Sequence, residues 1–107
     1  MVRSGAAEQG AVTDSAVDPR VSELGRAVTR LRRELDSYPA DLRDREAAED
    51  ALDALGAMAG AGVPEVTRLR QSLLLVAAAV GSVSALAAAL ADVRNAVELF
   101  GEPPRTG

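Results

Sequence analysis

The stretch 71–91, QSLLLVAAAVGSVSALAAALA, contains no charged residue and lies within a longer helical pattern. A helix that is apolar on every side has to be enclosed by other helices or by lipid. The rest of the chain is therefore interpreted as the cover for this stretch, with a short tail at each end. From this stretch the sequence predicts an architecture more readily than a function.

Composition bounds the size and chemistry of the protein. A chain of 107 residues suffices for one domain with one modest core. It has neither cysteine nor histidine, so the commonest nucleophile, zinc ligands and near-neutral general base are missing. The net charge of −4 and the scarcity of aromatic residues disfavour a nucleic-acid-binding domain. We therefore expect a protein that is not an enzyme, with no catalytic residue, metal or cofactor.

The ends of the chain lack the patterns of a folded core or an export signal. Residues 1–17 show no helical or strand periodicity and no apolar signal-peptide core, so we expect a disordered tail in a cytoplasmic protein. Residues 102–107 are interpreted as a second tail. The domain is then a helical bundle over residues 18–101.

Two helices precede the uncharged stretch. Asp18 and Pro19 predict the start of the first, and Pro39 predicts its end. The second is expected from about residue 41 to 59, with Asp41 or Asp44 as cap and Gly60 as stop. The first helix is net basic and the second acidic, so the short connection predicts an antiparallel hairpin with opposite charges in contact. The apolar seam of the first helix has coiled-coil-like spacing and consists of Val21, Leu24, Val28, Leu31, Leu35 and Tyr38.

The third helical segment runs over residues 64–100. The apolar spacing continues across Gly81, so the preferred prediction is an all-α fold with one long helix under the hairpin. The alternative is a turn at Gly81-Ser82, which gives a four-helix bundle. The residues expected inside are Leu24, Leu31, Leu35, Leu52, Leu55, Leu73, Val76, Val80, Leu86 and Leu90.

A ladder of small residues on this segment suggests self-association, because small side chains let two helices approach closely. Alanine is also the best helix former, so the ladder has a purely local explanation as well. We expect a protein–protein interaction or scaffold module, with a homodimer or a helical protein as partner. The predicted interface consists of Ala77, Gly81, Ala85, Ala89, Val93, Val97 and Phe100.

Three other functions remain alternatives. Residues 71–91 have the length of a membrane span, preceded by Arg68 and Arg70 as cytoplasmic flanks. An arginine stripe on the first helix can contact phosphate groups, although a solvated helix face is commoner; it consists of Arg26, Arg30 and Arg33. The densest carboxylate group is more typical of an acidic surface than of an active site; it consists of Glu46, Glu49, Asp50 and Asp53.

The segments DPRVSELGRAVTRLRRELDSYPADL and RLRQSLLLVAAAVGSVSALAAALADVRNAVELFGEPP resemble a family of unknown function. Its members are small Ala- and Arg-rich helical proteins of high-GC bacteria, and the resemblance covers residues 18–104. It implies a soluble helical protein. It supplies no catalytic or binding residue.

Overall fold

The structure is a computed structural model that describes residues 18–62 and 64–101. This part of the chain forms four α-helices and one short 3₁₀ turn, which confirms the predicted all-α class. The elements in chain order are α1 (Pro19–Ser37), α2 (Arg45–Ala61), α3 (Val66–Val80), the 3₁₀ turn (Ser84–Leu86) and α4 (Ala87–Gly101). The predicted tails, residues 1–17 and 102–107, lie outside the described residues.

Both predicted end signals of α1 are confirmed. The Asp18 carboxylate accepts a 2.9 Å hydrogen bond from the backbone N–H of Arg20, which satisfies one of the free amides at the helix start. Pro19 is the first helical residue. At the other end, Tyr38 adopts an extended conformation with φ −77° and ψ 116°, as expected for a residue before proline.

The predicted limits of α2 are only partly right. Asp44 occupies the N-cap position, but its side chain makes no capping hydrogen bond. The predicted stop, Gly60, is wrong, because the helix continues to Ala61 and Gly62 ends it. Gly62 has φ +81°, and its N–H donates to the carbonyl groups of Met58 and Ala59. This left-handed termination favours glycine, because an L side chain is strained at positive φ.

Arg45 closes the connection between α1 and α2. Its guanidinium donates hydrogen bonds to the carbonyl oxygens of Leu35 and Tyr38, both at 2.7 Å, and of Ala40 at 3.1 Å. These bonds give partners to carbonyl groups at the end of α1 and in the connection that follows it. The predicted meeting of opposite charges in the hairpin is also confirmed, since Arg32 of α1 forms an ion pair with Asp53 of α2.

The preferred single helix over residues 64–100 is wrong, and the four-helix alternative is correct. α3 ends at Val80, and the chain turns through residues 81–86 before α4 begins. The β-carbon of any side chain at Gly81 would collide with the Ala77 carbonyl oxygen, so this position requires glycine even though its φ is an ordinary −63°. The Val83 N–H then donates to the Val80 carbonyl at 3.0 Å and holds the turn.

The helices form a ring in the order α1, α2, α3, α4, each packed on its two neighbours around one core. The residues predicted to lie inside are buried, except Leu73, which is half-buried against the core. On a helical wheel, residues 64–100 show two apolar stripes that point in different directions, and the turn explains the difference because the stripes belong to two helices. The first stripe consists of Val66, Leu69, Leu73, Val76 and Val80, and the second of Leu86, Leu90, Val93, Val97 and Phe100. In the described part of the chain, no helix is both long and apolar enough to cross a bilayer. The predicted span at 71–91 is wrong, since the turn interrupts it.

Candidate interaction surface

Two neighbouring leucines on α3 point away from the core. Leu74 is 68% exposed and Leu75 is 55% exposed, although large aliphatic side chains are normally buried. The helical repeat explains their position, because Leu69, Val76 and Val80 already occupy the core side of α3. At 100° per residue, Leu74 lies toward α4 and Leu75 toward α2.

The exposed residues on the outward side of this helix carry no charge, and the exposed Arg68 and Arg70 border them on its two flanks. We call this surface the α3 face; it consists of Thr67, Gln71, Leu74, Leu75 and Ala78. The uncharged surface continues around the turn through residues 81, 82, 84 and 85 to Ala87 and Ala88. Ten of the 21 residues in the stretch 71–91 are exposed, so this stretch is only partly enclosed by the bundle.

The neighbouring side of α2 is also free of charge. Helical spacing places four of its residues on the side toward α3, and these are Ala47, Ala51, Ala54 and Met58. The acidic residues lie on the other side or outward; Asp53, for example, faces α1 and pairs with Arg32. Only Ala47 of these four is exposed, because Ala51 is buried and Ala54 and Met58 are half-buried, so α2 adds a narrow apolar margin beside the α3 face.

A shallow groove between α3 and α4 borders the α3 face. Leu73, Leu74 and Val97 supply apolar lining, and Arg70, Arg94 and Glu98 supply charged groups. The Arg70 guanidinium occupies the space beside Gly101 where a side chain would otherwise lie, so the end of α4 is next to the first turns of α3. A cation at this position interacts favourably with the negative end of the α4 dipole.

The ion pairs of the described residues all involve arginines of α1. Arg26 pairs with Glu23 at 3.5 Å, and Arg30 pairs with Glu34 at 3.1 Å and with Asp92 of α4. The remaining pairs are Arg20 with Asp18, and Arg32 with Asp36 and Asp53. On α4, by contrast, neither Arg94 nor Glu98 has an oppositely charged group within 4.0 Å among the described residues.

Hydrogen bonding accounts for the pKa shifts on α1. The side-chain hydrogen bond from Arg20, followed by its backbone N–H, lowers the pKa of Asp18. The pKa of Arg30 is raised chiefly by its hydrogen bond to Glu34, and that of Arg32 by its hydrogen bond to Asp53. These groups are fully charged near neutral pH and stabilise each other on the surface.

The predicted phosphate stripe is partly neutralised by these pairs. Arg26 and Arg30 have carboxylate partners, and only Arg33 lacks one among the described residues. The predicted carboxylate group is divided in the same way, since Asp53 pairs with α1 while Glu46 and Asp50 lie exposed. Within residues 18–62 and 64–101, no three acidic side chains come together as a metal site.

The predicted ladder does not form one strip, because the turn separates its two halves. Ala89, Val93 and Val97 are buried in the core of their own chain. Gly81 and Ala85 are exposed at the turn, whereas Ala77 is half-buried. The half-buried Phe100 packs beneath Arg20, whose guanidinium carbon lies 4.9 Å from the ring centre. The ladder as a continuous contact is therefore wrong, whereas self-association itself stays a prediction.

Sequence reasoning did not select Leu74 and Leu75 as site residues. The signal was present, because both fall outside the apolar stripe Val66, Leu69, Leu73, Val76 and Val80. Leu99, which is 43% exposed, belongs to another surface. It follows Asp92 by seven residues and so lies on the α1 side of α4.

Comparison with known proteins confirms the predicted resemblance. One family model, described as a family of unknown function (DUF5955), matches residues 13–101. No curated protein and no solved structure matches the chain.

Proposed function

The chain belongs to this family of unknown function, and we propose that it is a non-enzymatic helical scaffold that binds another protein through the α3 face. The observation that carries this proposal is the pair of exposed leucines, Leu74 and Leu75, on a face of α3 that holds no charged residue and is flanked by Arg68 and Arg70. Contiguous exposed apolar surface is typical of interaction sites. The cytoplasmic location expected from composition remains a prediction.

The exposed area indicates how the partner binds. Together Leu74 and Leu75 expose more than one whole leucine side chain. Full burial of a leucine contributes about 1.5–3 kcal/mol, so covering both contributes about 2–4 kcal/mol. Association costs about 4–15 kcal/mol in lost freedom of motion, so a stable complex has to cover neighbouring residues too. This favours a partner that lies along α3, such as another helix.

The charge distribution supports the same surface. The centre of a protein interface is depleted of charged residues and its rim is polar, and the α3 face, with Arg68 and Arg70 at its edges, has this arrangement. The α1 surface differs, because four of its arginines are engaged in ion pairs and their partners are exposed carboxylates. A protein that binds on α1 would have to desolvate these charged groups, which is energetically unfavourable.

Site-specific photo-crosslinking in the native cell tests the proposal. A photoreactive aromatic amino acid is placed at Leu75 on the α3 face, and at the exposed Ser22 of α1 as the matched control. We expect a discrete protein adduct from position 75 and at most a faint one from position 22. Equal yields at the two positions, or no adduct at either, would overturn the proposal.

A further inference from the structure

We propose that the occupant of the α3 face is a second copy of this chain, in a two-fold dimer in which α3 and α4 each lie antiparallel to their own copies. This inference rests on the proposed function and adds the identity of the partner. Two independent observations carry it, the register of the groove between α3 and α4 and the arrangement of its charges.

The register places Leu74 level with Val97. Arg70 lies beside Gly101, and the two helices run in opposite directions. Moving four residues away from this contact, forward along α3 and backward along α4, leads to Leu74 and Val97, which therefore lie next to each other. Both residues line the groove, in agreement with this register. Leu74 is therefore level with the part of α4 that lies between Arg94 and Glu98.

Arg94 and Glu98 have opposite charges, are both exposed and lie four residues apart on the groove side of α4. Neither has an ion-pair partner among the described residues. In a two-fold interface, if residue i contacts residue j of the partner, then j contacts i. A two-fold axis that crosses α4 midway between Arg94 and Glu98 places each Arg94 opposite the Glu98 of the other copy. The pair is therefore complementary to itself.

The same axis brings the exposed leucines together. It passes α3 within one residue of Leu74, so Leu74 and Leu75 of the two copies lie at the centre of the contact. The Arg70 residues of the two copies are then separated by about 15 Å along the helix axis, so these like charges do not come into contact. The acidic residues of α2 remain outside, which matters because each chain carries a net charge of −4.

A different protein would need a surface with charges complementary to Arg94 and Glu98 beside an apolar patch. A second copy of this chain provides that surface by symmetry. The apolar centre provides the affinity, and the crossed charges fix the register. Exposed ion pairs contribute little on their own, but like charges held opposite each other weaken an interface clearly. Charge reversal is therefore the sharpest test.

The test is sedimentation equilibrium of the purified full chain over a range of concentrations. Four variants are compared with wild type, namely Arg94→Glu, Glu98→Arg, the double exchange of both, and Leu74→Glu. Arg26→Glu, on the exposed surface of α1, is the control for the change in net charge. Circular dichroism of each dilute variant verifies that it is folded, which we expect because the substituted side chains are exposed.

Each single reversal should weaken the dimer about tenfold or more, since like charges then face each other twice per dimer. The double exchange should restore the wild-type dissociation constant to within about threefold, because the crossed pairs reform with the signs reversed. Leu74→Glu should abolish the dimer, and Arg26→Glu should leave it unchanged.

Three results would overturn the inference: a wild-type monomer up to about 1 mM, a dimer indifferent to the single reversals, or a double exchange no better than either single variant. If photo-crosslinking at Leu75 still yields an adduct with another protein, the proposed function survives and only the second copy is excluded. If that crosslinking is silent as well, both fail.

Discussion

Gly81→Ala should destabilise the protein, although alanine is the better helix former. A β-carbon at this position collides with the Ala77 carbonyl oxygen, a backbone atom that cannot swing aside as the end of a side chain would. Such overpacking costs about 1–3 kcal/mol, and the lower entropy of the unfolded variant offsets about 0.4–1 kcal/mol of this. The net loss is then between about 0 and 2.6 kcal/mol, with a central value of about 1.3 kcal/mol, or about 5–10 °C in Tm for a domain of this size.

Gly60→Ala is the matched control, because Gly60 lies inside α2 with nothing within 4 Å of an added β-carbon. Alanine should stabilise this position by about 0.5–1 kcal/mol. Both variants are measured by urea denaturation followed by far-ultraviolet circular dichroism. Opposite signs are expected. A Gly81→Ala variant as stabilised as Gly60→Ala would refute the turn and favour one continuous helix.

Three further substitutions test the packing and the helix ends. Leu31→Ala should lower the free energy of unfolding in urea denaturation by about 2–5 kcal/mol, because Leu31 is fully buried. Leu74→Ala should change the free energy of unfolding of the dilute monomer by less than about 0.5 kcal/mol in the same assay, because Leu74 is exposed. Arg45→Lys should lower the free energy of unfolding by about 1–3 kcal/mol in the same assay, since a lysine ammonium cannot reproduce the guanidinium's hydrogen bonds to three carbonyl groups. An unchanged free energy of unfolding would mean that these bonds do not stabilise the fold. Above pH 3.8, wild type should have a higher free energy of unfolding than Asp18→Asn, because Arg20 lowers the pKa of Asp18 in the folded state. This difference should disappear as the pH falls further and the carboxylate is protonated. A difference that persists in acid would show that the carboxylate charge does not cause it.

Local signals in the sequence were sufficient for α1 and for most of the core. Asp18, Pro19 and Pro39 act through their own backbone chemistry, so the limits of α1 follow from the sequence. The limits of α2 were harder, because Gly60 and Gly62 are both plausible stops and only the left-handed conformation of Gly62 distinguishes them. The bonds from Arg45 to the end of α1 depend on the folded hairpin and leave no trace in a helical pattern.

The turn at Gly81 was missed because the apolar spacing is the same on both sides of it. Val80, Val83 and Leu86 all point inward, but the 3₁₀ turn at residues 84–86 produces this orientation, and a continuous helix does not. The spacing of these three residues alone cannot distinguish the two cases. The change in direction of the apolar stripe was the usable signal, because two helices that face one core account for it.

The candidate site depended on this turn. With one long helix, the small residues formed the uncovered strip. With two helices, Ala89 and Val93 are buried, and the exposed apolar surface moves to Leu74 and Leu75. The absence of charge over residues 71–91 predicts contact, and the bundle core supplies it for about half of the stretch. Contact of the exposed half with a partner stays a prediction, and which face is exposed required the three-dimensional arrangement.

Binding of a protein to the α3 face should reduce the accessibility of this face inside the native cell, which thiol labelling measures directly. The chain has no cysteine, so Ala78→Cys places a unique thiol on this face, and Ser22→Cys places one on α1 as a control for reagent entry. Both thiols should react readily with a maleimide in the dilute purified protein. In cells, we expect the thiol at position 78 to be protected several-fold relative to the thiol at position 22. Equal labelling of the two positions in cells would contradict a role for the α3 face in binding another protein.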